Sequence, residues 1–252
     1  MVSLLEAIIL SIIQGIAEWF PVSSSGHLAL MQSFFGFQNL EFDVFLHFAS
    51  ILAVIVIFWK DIIKLLNIRN KENLYYIFLI ILAVIPAFLF GVLLRDYIIK
   101  SFHSLFFIGL FFIFSGIIIY LTKFSREIKP KAGVVEALFI GIMQVFALFP
   151  GISRSGMTIS GGLFSGLKKQ EAVRFSFLLA IPVILGASLA EAPQVFSSGI
   201  SYWVLLVSFI VTFFVSLVTI NLLLWVIKAE KFWWFGVYDV VLGLIVLIRS
   251  LV

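Results

Sequence analysis

Glu18, Ser23, Ser24, Ser25 and His27 stand within ten residues, in EWFPVSSSGH (18–27). Ser153, Arg154, Ser155, Gly156 and Thr158 stand in FPGISRSGMT (149–158). A carboxylate, an imidazole, hydroxyls and a guanidinium are the groups that phosphoryl transfer uses, because its barrier falls through positioning and charge stabilisation. Pro21 ends one helix, and Gly26 frees the backbone for a tight turn before the next. Backbone N–H groups and hydroxyls at the start of that helix then suit an anion, which the helix dipole also favours. The second stretch repeats the plan with Arg154 where the first has Ser24, and a guanidinium offers planar donors matched to phosphate oxygens. The competing reading is structural: serines that satisfy loop backbone, a packed His27, and an Arg154–Glu18 pair that only ties the loops together.

The rest of the chain decides how much those groups weigh. Of 252 residues, 63% are hydrophobic and 12% charged, with a mean hydropathy of +1.21, against roughly 25% charged in soluble domains. The class is therefore an all-α polytopic membrane protein, a single membrane domain spanning 1–252. In a bilayer a polar or ionisable side chain is costly, so the two stretches are functional by default. With no cysteine, disulfides, thiolate metal sites and cysteine nucleophiles are excluded. The first apolar stretch lacks a basic leader and runs straight into the polar motif, so it is expected to stay in the mature protein.

Charge placement sets the topology. Of the 17 Lys and Arg, thirteen fall in 60–73, 123–132, 166–175 and 228–231, which are expected on the cytoplasmic side. The acidic Glu41, Asp43 and Glu191 are expected outside. Both conditions hold if six segments cross, near 44–59, 74–94, 104–122, 174–190, 202–227 and 233–249. Residues 2–37 then dip in from outside and 133–165 from the cytoplasm, each turning at its polar stretch. Irregular backbone at membrane depth is tolerated only against protein or a wet cavity, so the two tips are expected to meet. An offset of 130 pairs Glu6 with Glu136, Gln14 with Gln144, Ser23 with Ser153, Ser25 with Ser155 and Gly26 with Gly156. Three crossings separate the copies, which makes repeats 1–122 and 131–252 inverted relative to each other. Pro86 and Pro182, inside apolar runs, are expected to kink their helices. His47, in FDVFLHFAS, reads equally as a helix-packing group or as a lining residue, and Asp239 as a cap or pair near the interface.

At these motifs the chain resembles the undecaprenyl-diphosphate phosphatase family, also known for bacitracin resistance, along essentially its whole length. EWFPVSSSGH matches the family's first signature and PGISRSGMTISGG its second, with HFASILAV and IPAFLFG as weaker connecting segments. The resemblance implies a plasma-membrane, multi-pass hydrolase that removes the terminal phosphate of a C55 polyprenyl diphosphate and opens toward the outer face. It implies catalytic roles for Glu18, Ser24, His27 and Arg154. Ser23, Ser25, Gly26, Ser153, Ser155, Gly156, Thr158 and Gln14 are expected to bind substrate. Many members carry a second Glu where this chain has Gln14, which puts a two-carboxylate mechanism in doubt and leaves Glu18 as a weak ligand for an Mg2+ or Ca2+ ion. Ser24 attacking phosphorus after losing its proton to Glu18 or His27, His27 attacking directly, and direct attack by water all stay open. The partners implied are the lipid substrate and the membrane, not nucleic acid, with a homodimer left open. Inverted repeats with broken helices also build transporters, so a polyprenyl-phosphate flippase or anion carrier is the rival. The acid phosphatases that share an SGH stretch are set aside, because their Lys and Arg signature and second His are absent.

Overall fold

A computed structural model describes residues 2–197 and 199–251. Twelve α-helices follow one another among the described residues: α1 (Leu4–Ala17), α2 (Ser24–Phe35), α3 (Leu40–Ile57), α4 (Trp59–Leu66), α5 (Lys71–Leu93), α6 (Arg95–Phe102), α7 (Leu105–Leu121), α8 (Val134–Phe146), α9 (Arg154–Phe164), α10 (Lys169–Ser197), α11 (Tyr202–Lys228) and α12 (Trp234–Leu251). Six segments are long and apolar enough to cross a bilayer: five lie in α3, α5, α10, α11 and α12, and the sixth is α7 extended by a 3-10 turn to Phe124. They coincide with the six expected crossings, although several start earlier than hydropathy alone suggests. Side-chain caps set those starts: Asn39 accepts from Phe42 N at 2.8 Å and Asn70 from Glu72 N at 2.8 Å. The side chain of Glu191 lies outside the described residues. Pro86 and Pro182 sit inside α5 and α10, and both helices continue through them.

Among the shorter helices, two apolar ones open the polar stretches and are too short to cross. α1 has 14 residues and α8 has 13, about 20 Å of helix against a hydrocarbon core of about 30 Å. Each is followed by an irregular turn and a second short helix, α2 or α9, which makes two re-entrant hairpins. Both hairpins begin with the same device: Glu6 accepts from Ser3 N at 2.8 Å, and Glu136 accepts from Gly133 N at 2.9 Å. A carboxylate there satisfies an N–H that the helix cannot, and it meets the positive end of the dipole.

The packing brings the hairpins to the centre. α1 lies against α11 and α8 against α5, while α3 packs on α10 and α11, and α9 on α8 and α10. α7 and α12 pack most closely. A Cβ on Gly116 would stand 2.6 Å from the Gly236 carbonyl, and one on Gly243 would stand 2.7 Å from that of Gly109, so only glycine admits this backbone approach. Asp239 lies inside that contact, fully buried, where Oδ2 accepts from Ser115 Oγ at 3.2 Å. This corrects the expectation of an interfacial role, because the close crossing leaves the carboxyl no route to water.

The basic segments gather at one end and are knitted by ion pairs. Arg174 Nε reaches Asp61 at 2.8 Å, and Lys169 Nζ reaches Glu127 at 2.8 Å and Glu230 at 3.2 Å. The hydrogen bond from Lys169 holds the Glu127 carboxyl below its ordinary value.

Candidate active site

The two hairpin tips touch, and Ser23 is the joint. Its Oγ accepts from Gly26 N at 3.3 Å, capping α2, and from Gly151 N of the other tip at 3.0 Å. To do so Ser23 adopts φ 63°, a left-handed conformation that costs a non-glycine residue of order 1 kcal/mol and persists only where surrounding bonds fix it. Gly26 is where the tips come closest: a Cβ there would lie 2.6 Å from Phe112 Cζ and 2.9 Å from the Gly151 N and Cα atoms. Gly26→Ala is therefore expected to destabilise the protein by about 2 kcal/mol through overpacking, read as a lowered midpoint for thermal unfolding in detergent. At the second tip Ser153 Oγ caps Gly156 N at 3.0 Å, while Ser153 N donates to Ser115 Oγ at 3.2 Å.

Caps on the third residue leave the first two N–H groups of each helix, those of Ser24 and Ser25 and of Arg154 and Ser155, with no partner among the described residues. Two positive helix ends thus converge on a cavity of about 260 Å3 lined by Glu18, Ser23, Ser24, Ser25, His47, Ser153 and Arg154. Such paired helix starts favour an anion.

Glu18 organises the cluster. The Ser24 hydroxyl donates to Glu18 Oε2 at 2.6 Å, and Gln14 Nε2 donates to the same oxygen at 3.1 Å. Arg154 Nη2 reaches Oε1 at 2.5 Å, a charge-assisted bond joining the two tips. The Arg154 guanidinium lies 5.5 Å from the centre of the Trp19 ring, and its Nη1 is buried with no partner. A buried guanidinium donor left open costs free energy unless a ligand completes it.

The imidazole beside Ser24 belongs to His47. Its Nε2 lies 3.1 Å from Glu18 Oε2 and 3.5 Å from Ser24 Oγ. Its Nδ1 lies 2.7 Å from the Asp43 carbonyl oxygen. A carbonyl only accepts, so Nδ1 carries a hydrogen, and the contact of Nε2 with Glu18 then requires a shared proton between ring and carboxylate. His47 comes from α3, twenty residues beyond the first motif.

Several expected site residues are elsewhere. His27 turns away: Nδ1 lies 2.8 Å from the Ser23 carbonyl and Nε2 lies 2.8 Å from the Tyr238 hydroxyl, and the ring lines a separate groove with Phe20, Phe235 and Tyr238. This corrects its placement with Ser24, because its own helix captures Nδ1 and α12 captures Nε2. Thr158, expected at phosphate, is fully buried on the face of α9 toward α10, bonded to the Arg154 carbonyl at 2.9 Å and to Ser176 Oγ at 2.6 Å. Gln14, Gly26, Ser155 and Gly156 likewise lie outside the cavity wall, where they support it. His47 and Trp19 are the additions, and a histidine inside a crossing helix was the available signal.

The donor set does not make a divalent-metal cage. One carboxylate faces the cavity, with Oε1 taken by Arg154 and Oε2 by Ser24, Gln14 and His47, so Glu18 has no free oxygen for Mg2+ or Ca2+, which take several oxygen ligands. Among the described residues no group of three or more acidic, histidine or cysteine side chains could hold an ion.

The chain is similar to known proteins along almost its whole length. The family described as bacitracin resistance protein BacA matches residues 7–245. Similar proteins include the undecaprenyl-diphosphatase of Methanosphaera stadtmanae, 36% identical over 100% of both chains, and that of Desulforapulum autotrophicum, 36% identical over 99% of both. Undecaprenyl-diphosphatase 1 of Shouchella clausii is 36% identical over 98% of this chain and 96% of its own. A match across nearly every helix, including both re-entrant tips and the α3 segment that carries His47, means that this chain belongs to the bacitracin resistance protein BacA family.

Proposed function

We propose that the chain is an integral membrane phosphatase that converts undecaprenyl diphosphate to the monophosphate and inorganic phosphate, recycling a lipid carrier. The observation that carries this reading is the Ser24–Glu18–His47 cluster set against the unsatisfied Arg154 Nη1. A carrier protein needs the cation but has no use for a hydroxyl hydrogen-bonded to a carboxylate and an imidazole.

The diphosphate enters with its terminal phosphate on the open N–H groups of Ser24, Ser25 and Arg154, whose residues line the cavity, and on the Arg154 guanidinium. As Arg154 turns to phosphate, the Glu18 carboxylate loses a donor on Oε1 and becomes a stronger base toward the Ser24 hydroxyl on Oε2. Ser24 Oγ gives its proton to Glu18, held in place by Gln14 and His47, and forms a bond to the terminal phosphorus. The bond from that phosphorus to the bridging oxygen breaks, and prenyl monophosphate leaves with the electron pair. Glu18 passes the proton from Ser24 to the departing monophosphate. Water then attacks the phosphoserine and loses a proton to Glu18, which returns it to Ser24 Oγ as the bond from phosphorus to that oxygen breaks and phosphate departs. A divalent ion, where the reaction uses one, would be brought and held chiefly by the diphosphate.

The site faces outward in this proposal. The basic end belongs in the cytoplasm, and the cavity wall includes Val44, Phe102 and Ser188, toward the opposite ends of α3, α6 and α10. The membrane is the plasma membrane.

Phosphate release from a long-chain polyprenyl diphosphate by the purified protein in detergent tests the reading. Release by the wild type is expected. Absence of release, together with movement of labelled lipid across liposomes by the same preparation, would establish the carrier instead. The two histidines separate in the same assay: His47→Gln is expected to lower kcat by about a hundredfold, the lower end for a lost acid–base group, and His27→Gln by less than about tenfold.

A further inference from the structure

We infer that the prenyl chain leaves the active site sideways, through an apolar pocket between α3 and α10. This rests on the hydrolase reading and adds where the site reads the lipid. A second cavity of about 180 Å3 is lined by Val44, Phe45, Phe48, Leu189, Ala192 and Val195, together with Ser188. Val44 and Ser188 also line the catalytic cavity, so the two spaces meet across these side chains.

The chemistry changes at that junction. On one side stand Arg154, Glu18 and the serines. On the other, apart from Ser188, every lining side chain is apolar. Ser188 is 7% exposed, and its hydroxyl has no hydrogen-bond partner. A buried hydroxyl without a partner is costly in a protein interior and more so at membrane depth. An oxygen of the inner phosphate, where the diphosphate gives way to the chain, would satisfy it. The occupant is therefore the first isoprene units of the substrate, with Phe45 and Phe48 on α3 and Leu189 and Ala192 on α10 against them.

The larger groove of about 560 Å3 beside His27 is the competing path. It shares only Ala17 with the catalytic cavity, and its rim holds Lys231 and Trp234 from the basic end. A chain in it would have to pass the Val22–Ser23 backbone, which the bond from Gly151 N pins.

The test compares kcat/KM for a C55 polyprenyl diphosphate with that for methyl diphosphate, which has no chain to place. Ala192→Trp fills the pocket, and Val226→Trp fills the groove. The long-to-short ratio is expected to fall about tenfold in Ala192→Trp, the burial of roughly two methylene-sized groups, and to stay at the wild-type value in Val226→Trp. An unchanged ratio in Ala192→Trp, or a fall in Val226→Trp, would overturn the proposal. A photoreactive group on the first isoprene unit gives a readout that needs neither turnover nor a folded variant. Crosslinks to peptides carrying Phe45, Phe48 or Leu189 support the path, and crosslinks to those carrying Ile13, Phe20 or Phe235 refute it. Failure of the wild type to release phosphate from either substrate would count against the hydrolase reading alone, and the crosslinks would still report the path.

Discussion

Ser24→Ala is expected to lower kcat for phosphate release by roughly four decades, about 5 kcal/mol in the barrier. The hydroxyl it removes lies 2.6 Å from Glu18 Oε2 and 3.5 Å from His47 Nε2, and the other serines lack that pairing. Ser23 Oγ is committed to the N–H groups of Gly26 and Gly151. Ser25 Oγ lies 3.4 Å from Ser23 Oγ, and Ser153 Oγ caps Gly156 N. Ser25→Ala is accordingly expected to cost less than about tenfold. KM should change little in Ser24→Ala, because the anion-binding N–H groups belong to the backbone and survive the substitution. Steady-state phosphate release with Ser24→Ala and Ser25→Ala in parallel checks this. Equal losses in the two variants would mean that the hydroxyls serve only the loop.

Arg154→Ala is expected to cost about three decades in kcat/KM, in line with an arginine that stabilises a phosphoryl transition state. Two effects add here. The variant removes the unpaired Nη1 donor, and it leaves Glu18, 6% exposed, without its cationic partner. A buried carboxylate without its partner also destabilises the fold by a few kcal/mol, so loss of activity alone would be ambiguous. Arg154→Lys separates the two. A lysine ammonium keeps the charge beside Glu18 but lacks the planar fork, so thermal stability should largely return while kcat/KM stays at least about a hundredfold down. Recovery of both together would reduce Arg154 to a tie between the hairpins.

Much of this arrangement could be read from the sequence because membranes leave few options. Thirteen of 17 Lys and Arg in four segments fixed six crossings and left Leu4–Ala17 and Val134–Phe146 too short for any role but dipping in. Gly26 reads as freeing the backbone for a tight turn, and the structure adds that it is also where the two tips come closest. Local sequence could not say which way a ring turns. Ser24 and His27 are three residues apart on one helix, yet the Ser23 carbonyl holds one ring nitrogen of His27 and Tyr238, 211 positions away, holds the other. His47 shows the converse. Its segment reads as an apolar crossing, and only the packing of α3 against α10 and α11 brings it to Glu18. Thr158 looked like a phosphate ligand from its place after the second loop and from the family resemblance, but α9 turns it into Ser176 on α10. Asp239 was misjudged for a related reason: the glycines that draw α7 and α12 together seal it from the interface.

The most direct test of the central claim is rapid quenching of turnover with undecaprenyl diphosphate labelled in its terminal phosphate. A phosphoserine at Ser24 is predicted, forming before free phosphate, decaying into it, and absent from Ser24→Ala. Turnover at the full wild-type rate with no label on the protein at any time, or with label on His27, would contradict it.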